Sequence, residues 1–267
     1  MTKSPATPND HLTQSPWRDW RSVTPARLAL GRAGAGMPTE EVLKFGWAHA
    51  MARDAIHAAL DVAKLETSLQ SQGWRVTNVR SLAPDRAMYL KRPDLGRVLD
   101  PQDVAKLRAM NETAHDICVV IGDGLSSLAV ERHAAPLLAA LAPLLKEHLV
   151  DVPVVIATQA RVALADEIAD AMSATLSVML IGERPGLSSP DSLGIYITHA
   201  PFKGRNDAGR NCISNVRPEG LNYPAAAFKL AWLVREALER GLTGVELKDE
   251  SDLALIAGNS SAKLPRG

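Results

Sequence analysis

One feature limits what this chain can fold into more than any other, and it begins at Ile117. Three short apolar runs, Ile117 to Gly122, Pro153 to Thr158 and Ser177 to Gly182, alternate with stretches of helical spacing. Runs rich in β-branched residues and lacking polar alternation suit strands covered on both faces. The first interval holds helical residues Leu125 to Arg132 and then Pro136 to Leu149, with Pro136 at a first turn and Pro143 as a kink; the second holds Val162 to Met172. Strand, helix, strand, helix, strand predicts an α/β fold, Rossmann-like and doubly wound, with a mainly parallel sheet. A later helix, Ala225 to Arg240, is expected to cover one face and to end at Gly241.

The region before this pattern reads differently. Residues 1–16 mix Pro, Ser, Thr and Asn without periodicity, which predicts a disordered N-terminal arm. Residues 17–112 form a mostly helical N-terminal extension, residues 113–256 the Rossmann-like region, and residues 257–267 a C-terminal tail. The cluster Gly31 to Gly36 reads as a turn, and with no following Lys-Ser/Thr it is no phosphate loop. From the N-cap Thr39, apolar residues at three- and four-residue steps through Phe45, Ala48, Ala52, Ala55, Ile56, Ala59 and Ala63 predict one long amphipathic helix. On another face of it His49, Arg53 and His57 line up, which an ordinary solvated face explains best. A short strand is expected around Trp74 to Val79, and a helix from Asp103 to Asp116.

Charge and length exclude several functions. Lys plus Arg number 30 and Asp plus Glu 30, so no net field attracts nucleic acid or anionic lipid. The longest nearly unbroken apolar stretch, Ala134 to Leu145, is interrupted by two prolines and is shorter than the ~18 residues of a membrane span. The first residues lack the apolar region of a secretory signal. Cys118 and Cys212 are too far apart for a redox or zinc motif, which suggests free thiols in a reducing cytoplasm. At 267 residues the chain can bury about three quarters of its unfolded surface without disulfides or metal.

Ligands of open parallel sheets bind at the carboxyl ends of the strands, where helix N-termini and loop N–H groups converge. Here those ends are Gly122 to Gly124, Gln159 to Val162 and Gly182 to Gly186, and the polar loop Gly204 to Asn215 is expected to close over the same crevice. Familiar chemistries fail there. Gly122-x-Gly124-x-x-Ser127 lacks the third glycine of a dinucleotide fingerprint, and Gly186-Leu187-Ser188 does not continue into a nucleophile elbow. The histidines show no metal-binding spacing, Asp249, Glu250 and Asp252 read as a solvated acidic edge, and Cys118 reads as core. A crevice with neither catalytic groups nor a metal site points to a binding subunit whose chemistry is supplied elsewhere.

Longer motifs carry a resemblance. Thr24 to Gly34 (TPARLALGRAG), Phe45 to His57 (FGWAHAMARDAIH), Gly122 to Ser126 (GDGLS), Ile181 to Gly194 (IGERPGLSSPDSLG) and Arg210 to Gly220 (RNCISNVRPEG) resemble, in order, the small (light) subunit family of ethanolamine ammonia-lyase. The resemblance runs from roughly Trp17 to Leu255, and its last two motifs are the specific ones. It implies a carbon-nitrogen lyase complex that converts ethanolamine to acetaldehyde and ammonia by adenosylcobalamin radical chemistry. The partner it implies is a large (heavy) catalytic subunit in a hetero-oligomer, with this chain capping the cofactor and residues 113–256 binding it. Carried over by position, the cofactor contacts fall on Val162, Glu183 and Cys212, with Arg161 as a further contact to the cofactor's polar edge. No Asp-x-His-x-x-Gly motif is present, so base-on cobalamin is expected. The location implied is cytoplasmic, with packaging inside a bacterial microcompartment as the family's further association. Two rivals remain on the sequence: a self-sufficient nucleotide-dependent enzyme, suggested by fold pattern alone, and a scaffold adaptor, suggested by the polar arm and the Thr39 helix.

Overall fold

A computed structural model describes residues 11–111, 113–149 and 151–253. Most of the expected N-terminal arm, residues 1–10, and the whole expected tail, residues 257–267, lie outside the described residues. Two compact units are present. The smaller comprises the described residues up to Asp54 together with Gly186–Pro190, and the larger runs from Ala55 to Pro185 and onward from Asp191.

In the smaller unit β1 (Leu12–Thr13) pairs antiparallel with β2 (Arg32–Ala33), so the end of the expected arm is part of a two-stranded ladder. The glycine cluster does form a turn here: Ala33 and Gly36 exchange both backbone hydrogen bonds. Helix α1 (Thr39–His57) begins at the expected threonine with Glu40 and Glu41 in its first turn. It does not continue to Ala63. The chain breaks after His57 and restarts as α2 (Val62–Ser71), because the Asp61 carboxylate caps the new helix at Lys64 N while the Asp61 N–H donates to Glu131.

The larger unit is a mixed α/β body built on one mainly parallel six-stranded sheet. In sequence order its elements are β3 (Val76–Arg80), α3 (Arg86–Lys91), α4 (Pro101–Met110), β4 (His115–Gly122), α5 (Ser127–Leu141), β5 (Val154–Thr158), α6 (Leu164–Ala171), β6 (Ala174–Gly182), β7 (Leu193–His199), β8 (Asn211–Val216) and α7 (Tyr223–Arg240). In space the strands run β3-β5-β4-β6-β7-β8. The first four are parallel, and β7 and β8 are added antiparallel. Alternate strand residues explain the doubled apolar pattern. Ile117, Val119 and Ile121 pack with α2, α5 and α7, whereas Cys118 and Val120 pack with α4 and α6.

Several details differ from the sequence reading. Helix α4 stops at Met110, and His115 and Asp116 already belong to β4. Pro136 lies inside a continuous α5 and not at a first turn. Lacking an N–H, it leaves the carbonyl one turn earlier unbonded within the helix, and packing of Leu137, Leu138 and Leu141 offsets that loss. The last five residues of the loop expected between Gly204 and Asn215, from Asn211 on, belong to strand β8. Helix α7 ends as expected, with Gly241 in the left-handed region at φ 67°.

Candidate functional site

The three central parallel strands, β5, β4 and β6, end side by side. The chain leaves β4 for β5 on one side and then crosses to β6 on the other, the arrangement that opens a crevice at the carboxyl edge of a sheet. A cleft of about 380 Å3 lies there, lined by Gly124 and Leu125 after β4, Arg161 and Val162 after β5, Gly182 to Arg184 after β6, Tyr89 of α3 and Tyr196 of β7.

The floor is made of glycine for a steric reason. A Cβ on Gly182 would stand 2.0 Å from the Ser126 carbonyl oxygen, and one on Gly124, at φ 56°, would stand 2.2 Å from the Gly182 carbonyl oxygen. The β4 and β6 ends therefore touch backbone to backbone, and Leu125 N–H donates to Gly182 O at 2.9 Å.

Behind the floor Asp123 is almost fully buried and accepts from Gln159 N at 2.9 Å and Ala160 N at 2.8 Å. Gln159 has a positive φ of 54°, so this carboxylate holds a conformation that a residue with a side chain otherwise avoids. Burial raises the Asp123 pKa, while those two N–H groups and Arg86 act in the opposite sense. The loop it fixes carries Arg161 and Val162.

Tyr89, fully buried, donates to Ala160 O at 2.9 Å, and two guanidinium groups stand over its ring, Arg161 at 4.3 Å and Arg86 at 4.9 Å from the centroid. Arg161 is anchored through its own N–H to Gly96 O at 2.8 Å. Its Nε is buried and, among the described residues, has no hydrogen-bond acceptor, as is also true of Arg86 Nη2. Buried donors without acceptors are costly in an isolated protein. Arg161 also lines the cleft, where its guanidinium charge favours an anionic or carbonyl-rich ligand.

Across the cleft the Glu183 carboxylate accepts from the Ser192 hydroxyl and from Asn215 N at 3.3 Å, so it ties the end of β6 to β7 and β8. Cys212 is directly opposite Tyr196 in the β7–β8 ladder. Desolvation of the sulfur raises the Cys212 pKa, the neighbouring Tyr196 hydroxyl counteracts that, and the Glu183 charge reinforces it. Tyr196 itself is pushed up to about 12, first by desolvation and then by Cys212 and Glu183. Arg161, Val162 and Glu183 thus share one cleft, and Cys212 joins it by way of Tyr196.

Sequence reasoning did not find Tyr89 or Tyr196. Nothing in the sequence around Tyr89 marks it. Tyr196 had a signal in the alternation of Leu193, Ile195 and Ile197 with Gly194, Tyr196 and Thr198, whose odd members are all buried. Among the described residues no group of three or more His, Cys, Asp or Glu side chains could hold a metal ion, and no helix is long and apolar enough to cross a membrane.

Comparison with known proteins gives one consistent answer. Residues 14–248 match the family model of the ethanolamine ammonia-lyase light chain (EutC). The ethanolamine ammonia-lyase small subunit of Azotobacter vinelandii is 53% identical over 253 residues, covering 93% of this chain and 94% of that protein. Those of Ralstonia nicotianae and Pseudomonas aeruginosa are 52% and 50% identical, each covering more than nine tenths of both chains. With the family match spanning both compact units and every residue of the cleft, this chain belongs to the ethanolamine ammonia-lyase light-chain family.

Proposed function

We propose that this chain is the small subunit of an adenosylcobalamin-dependent ethanolamine ammonia-lyase, and that its strand-end cleft grips one edge of a base-on cobalamin whose other face lies against the large catalytic subunit. On this reading the complex is a hetero-oligomer that converts ethanolamine to acetaldehyde and ammonia, and the sheet with helices on both faces is Rossmann-like. When bound, adenosylcobalamin supplies the radical that abstracts hydrogen from the substrate, and protein supplies orientation and exclusion of water.

The carrying observation is the convergence of Arg161, Val162 and Glu183 on one cleft, where Arg161 supplies the cationic donor. A cobalamin fits that donor set, because its periphery carries amides and a phosphate, acceptors suited to Arg161. Size agrees as well. A cleft of about 380 Å3 is at the small end of ligand sites and cannot enclose a corrin ring with its nucleotide, so a second protein must complete the enclosure. Val162 offers apolar contact, and Glu183 presents a carboxylate already oriented by Ser192 and Asn215.

The test is ammonia release from ethanolamine plus adenosylcobalamin by this chain alone, by its large subunit alone and by the two co-expressed. Turnover only in the combined sample is expected, and turnover by the large subunit alone at the same rate would refute a cofactor-capping role. Within the assembled enzyme, Glu183→Ala should weaken cobalamin binding roughly tenfold or more while leaving subunit recovery unchanged. Unaltered affinity would remove Glu183 from the site.

A further inference from the structure

Fifteen large apolar side chains are conspicuously exposed among the described residues, and nine of them fall between residues 17 and 51: Trp17, Trp20, Val23, Met37, Val42, Leu43, Phe45, Trp47 and Met51. Over residues 11–51 the only buried residues are Pro38 and Glu41. This segment therefore has regular structure but no apolar core of its own. Its four exposed aromatic side chains alone present roughly 500 Å2 at about 200 Å2 for each full side chain. That already equals the largest apolar patch of a typical monomer. With the five aliphatic side chains added, the area approaches the ~800 Å2 that one partner contributes to a standard interface.

The pattern on α1 is ordered. Leu43, Trp47 and Met51 recur at four-residue steps and are 67%, 72% and 38% exposed, whereas Glu41 and Ala52 turn the opposite way and are buried. From Leu43 to Met51 the single charged residue is Lys44, which is paired with Glu40 and Glu41. An uncharged ridge centred on a tryptophan is the composition of an interface centre.

We infer that the ridge Leu43–Trp47–Met51, in the same unit as the exposed Trp17 and Trp20, is the surface by which this chain docks onto an apolar face of the large subunit. The inference rests on the small-subunit reading above. A subunit that works only in a larger assembly needs a surface of this area, and the family match, which begins at residue 14, includes the whole ridge.

The test uses the full-length tagged chain co-expressed with its large subunit and compares Trp47→Glu, the pair Leu43→Asp with Trp47→Glu, and Val245→Asp, a 78% exposed apolar position outside the ridge. Expected is a loss of roughly tenfold or more in large-subunit recovery for the ridge variants. Far-ultraviolet circular dichroism and Tm of the isolated chains should not change, and Val245→Asp should recover the large subunit fully. Equal recovery with Trp47→Glu and with the unsubstituted chain would overturn the surface and leave the small-subunit reading standing. A shift of the isolated chain from dimer to monomer on Trp47→Glu, with recovery retained, would overturn it in favour of a second copy of this chain. No recovery by the unsubstituted chain would overturn both this surface and the small-subunit reading.

Discussion

The two cysteines illustrate how far environment separates identical side chains. Cys118 points into the core beneath α4 and α6, and burial pushes its thiol up to about 12. Cys212 is exposed on β8, with its pKa raised by local desolvation. A thiol reagent should therefore modify one group in the native protein and a second only in denaturant, and the native reaction at pH 8 should be slower than that of free cysteine and accelerate as pH rises. Two fast native thiols would contradict the placement of Cys118. His133 gives a prediction in pH. It is buried between the Tyr223 hydroxyl at 2.8 Å and Asp191 at 3.5 Å, and desolvation lowers its pKa despite the acidic neighbour. The unfolded chain then takes up a proton at a higher pH than the folded one. Its contribution to stability is complete above the ordinary histidine value of about 6.5 and is lost as pH falls below that. Urea midpoints measured from pH 8 to pH 5 should decline, and His133→Gln should flatten the decline.

Elements, more than residues, decide where the cleft lies. Its floor depends on β4 and β6 meeting without side chains at Gly124 and Gly182. Gly182→Ala must push the Ser126 and Asp123 backbones aside, so it is expected to lower stability by about 2 kcal/mol or more and to abolish the cobalamin binding proposed above, as read by thermal melts and absorbance titration. On the other side of the sheet, Arg210 leads into β8 and forms a two-pronged pair with Asp166 of α6, both bonds 2.7 Å and both side chains buried, and it also donates to Thr198, the Arg205 carbonyl and the exposed Asp207. Asp166→Ala removes the buried partner, leaves Arg210 with the exposed Asp207, and should cost about 3 kcal/mol in chemical denaturation, whereas replacing both Arg210 and Asp166 with apolar residues should cost less. At this scale the sequence was informative for β4, β5 and β6 and for α7, since two-faced burial leaves uninterrupted Val and Ile runs and Gly241 marks a stop. It was less informative where a single polar side chain overrides periodicity. The break between α1 and α2 depends on Asp61 meeting Glu131, seventy residues away, and no local pattern records that. Strand β8, preceded by Arg210 and carrying Asn211, Ser214 and Asn215, reads as a loop until β7 is placed beside it.

For the molecule as a whole, the strand-end rule located Arg161, Val162 and Glu183 before their geometry was known, because parallel topology alone fixes where loops converge. Tyr89 and Arg86 come from a segment outside the βαβ repeat, and only the fold brings them to Arg161 at the cleft. The outermost parallel strand, β3, comes from that same segment and pairs with β5 through five consecutive positions, Val76 with Val154 to Arg80 with Thr158. A fragment beginning at residue 113 would therefore leave an edge of β5 uncovered and lose Tyr89 and Arg86. It is expected to elute as aggregates in size-exclusion chromatography, while the full chain does not. The same pairing constrains how the protein is made. Strand β3 is translated well before β4, yet its neighbour in the sheet, β5, is translated more than seventy residues later. At ribosomal rates of about 5–20 residues per second, it must wait roughly 4 to 15 s with an unpaired backbone. A pause in translation or a chaperone bound to the nascent chain in that interval would then govern the yield of folded protein, independently of how stable the finished protein is.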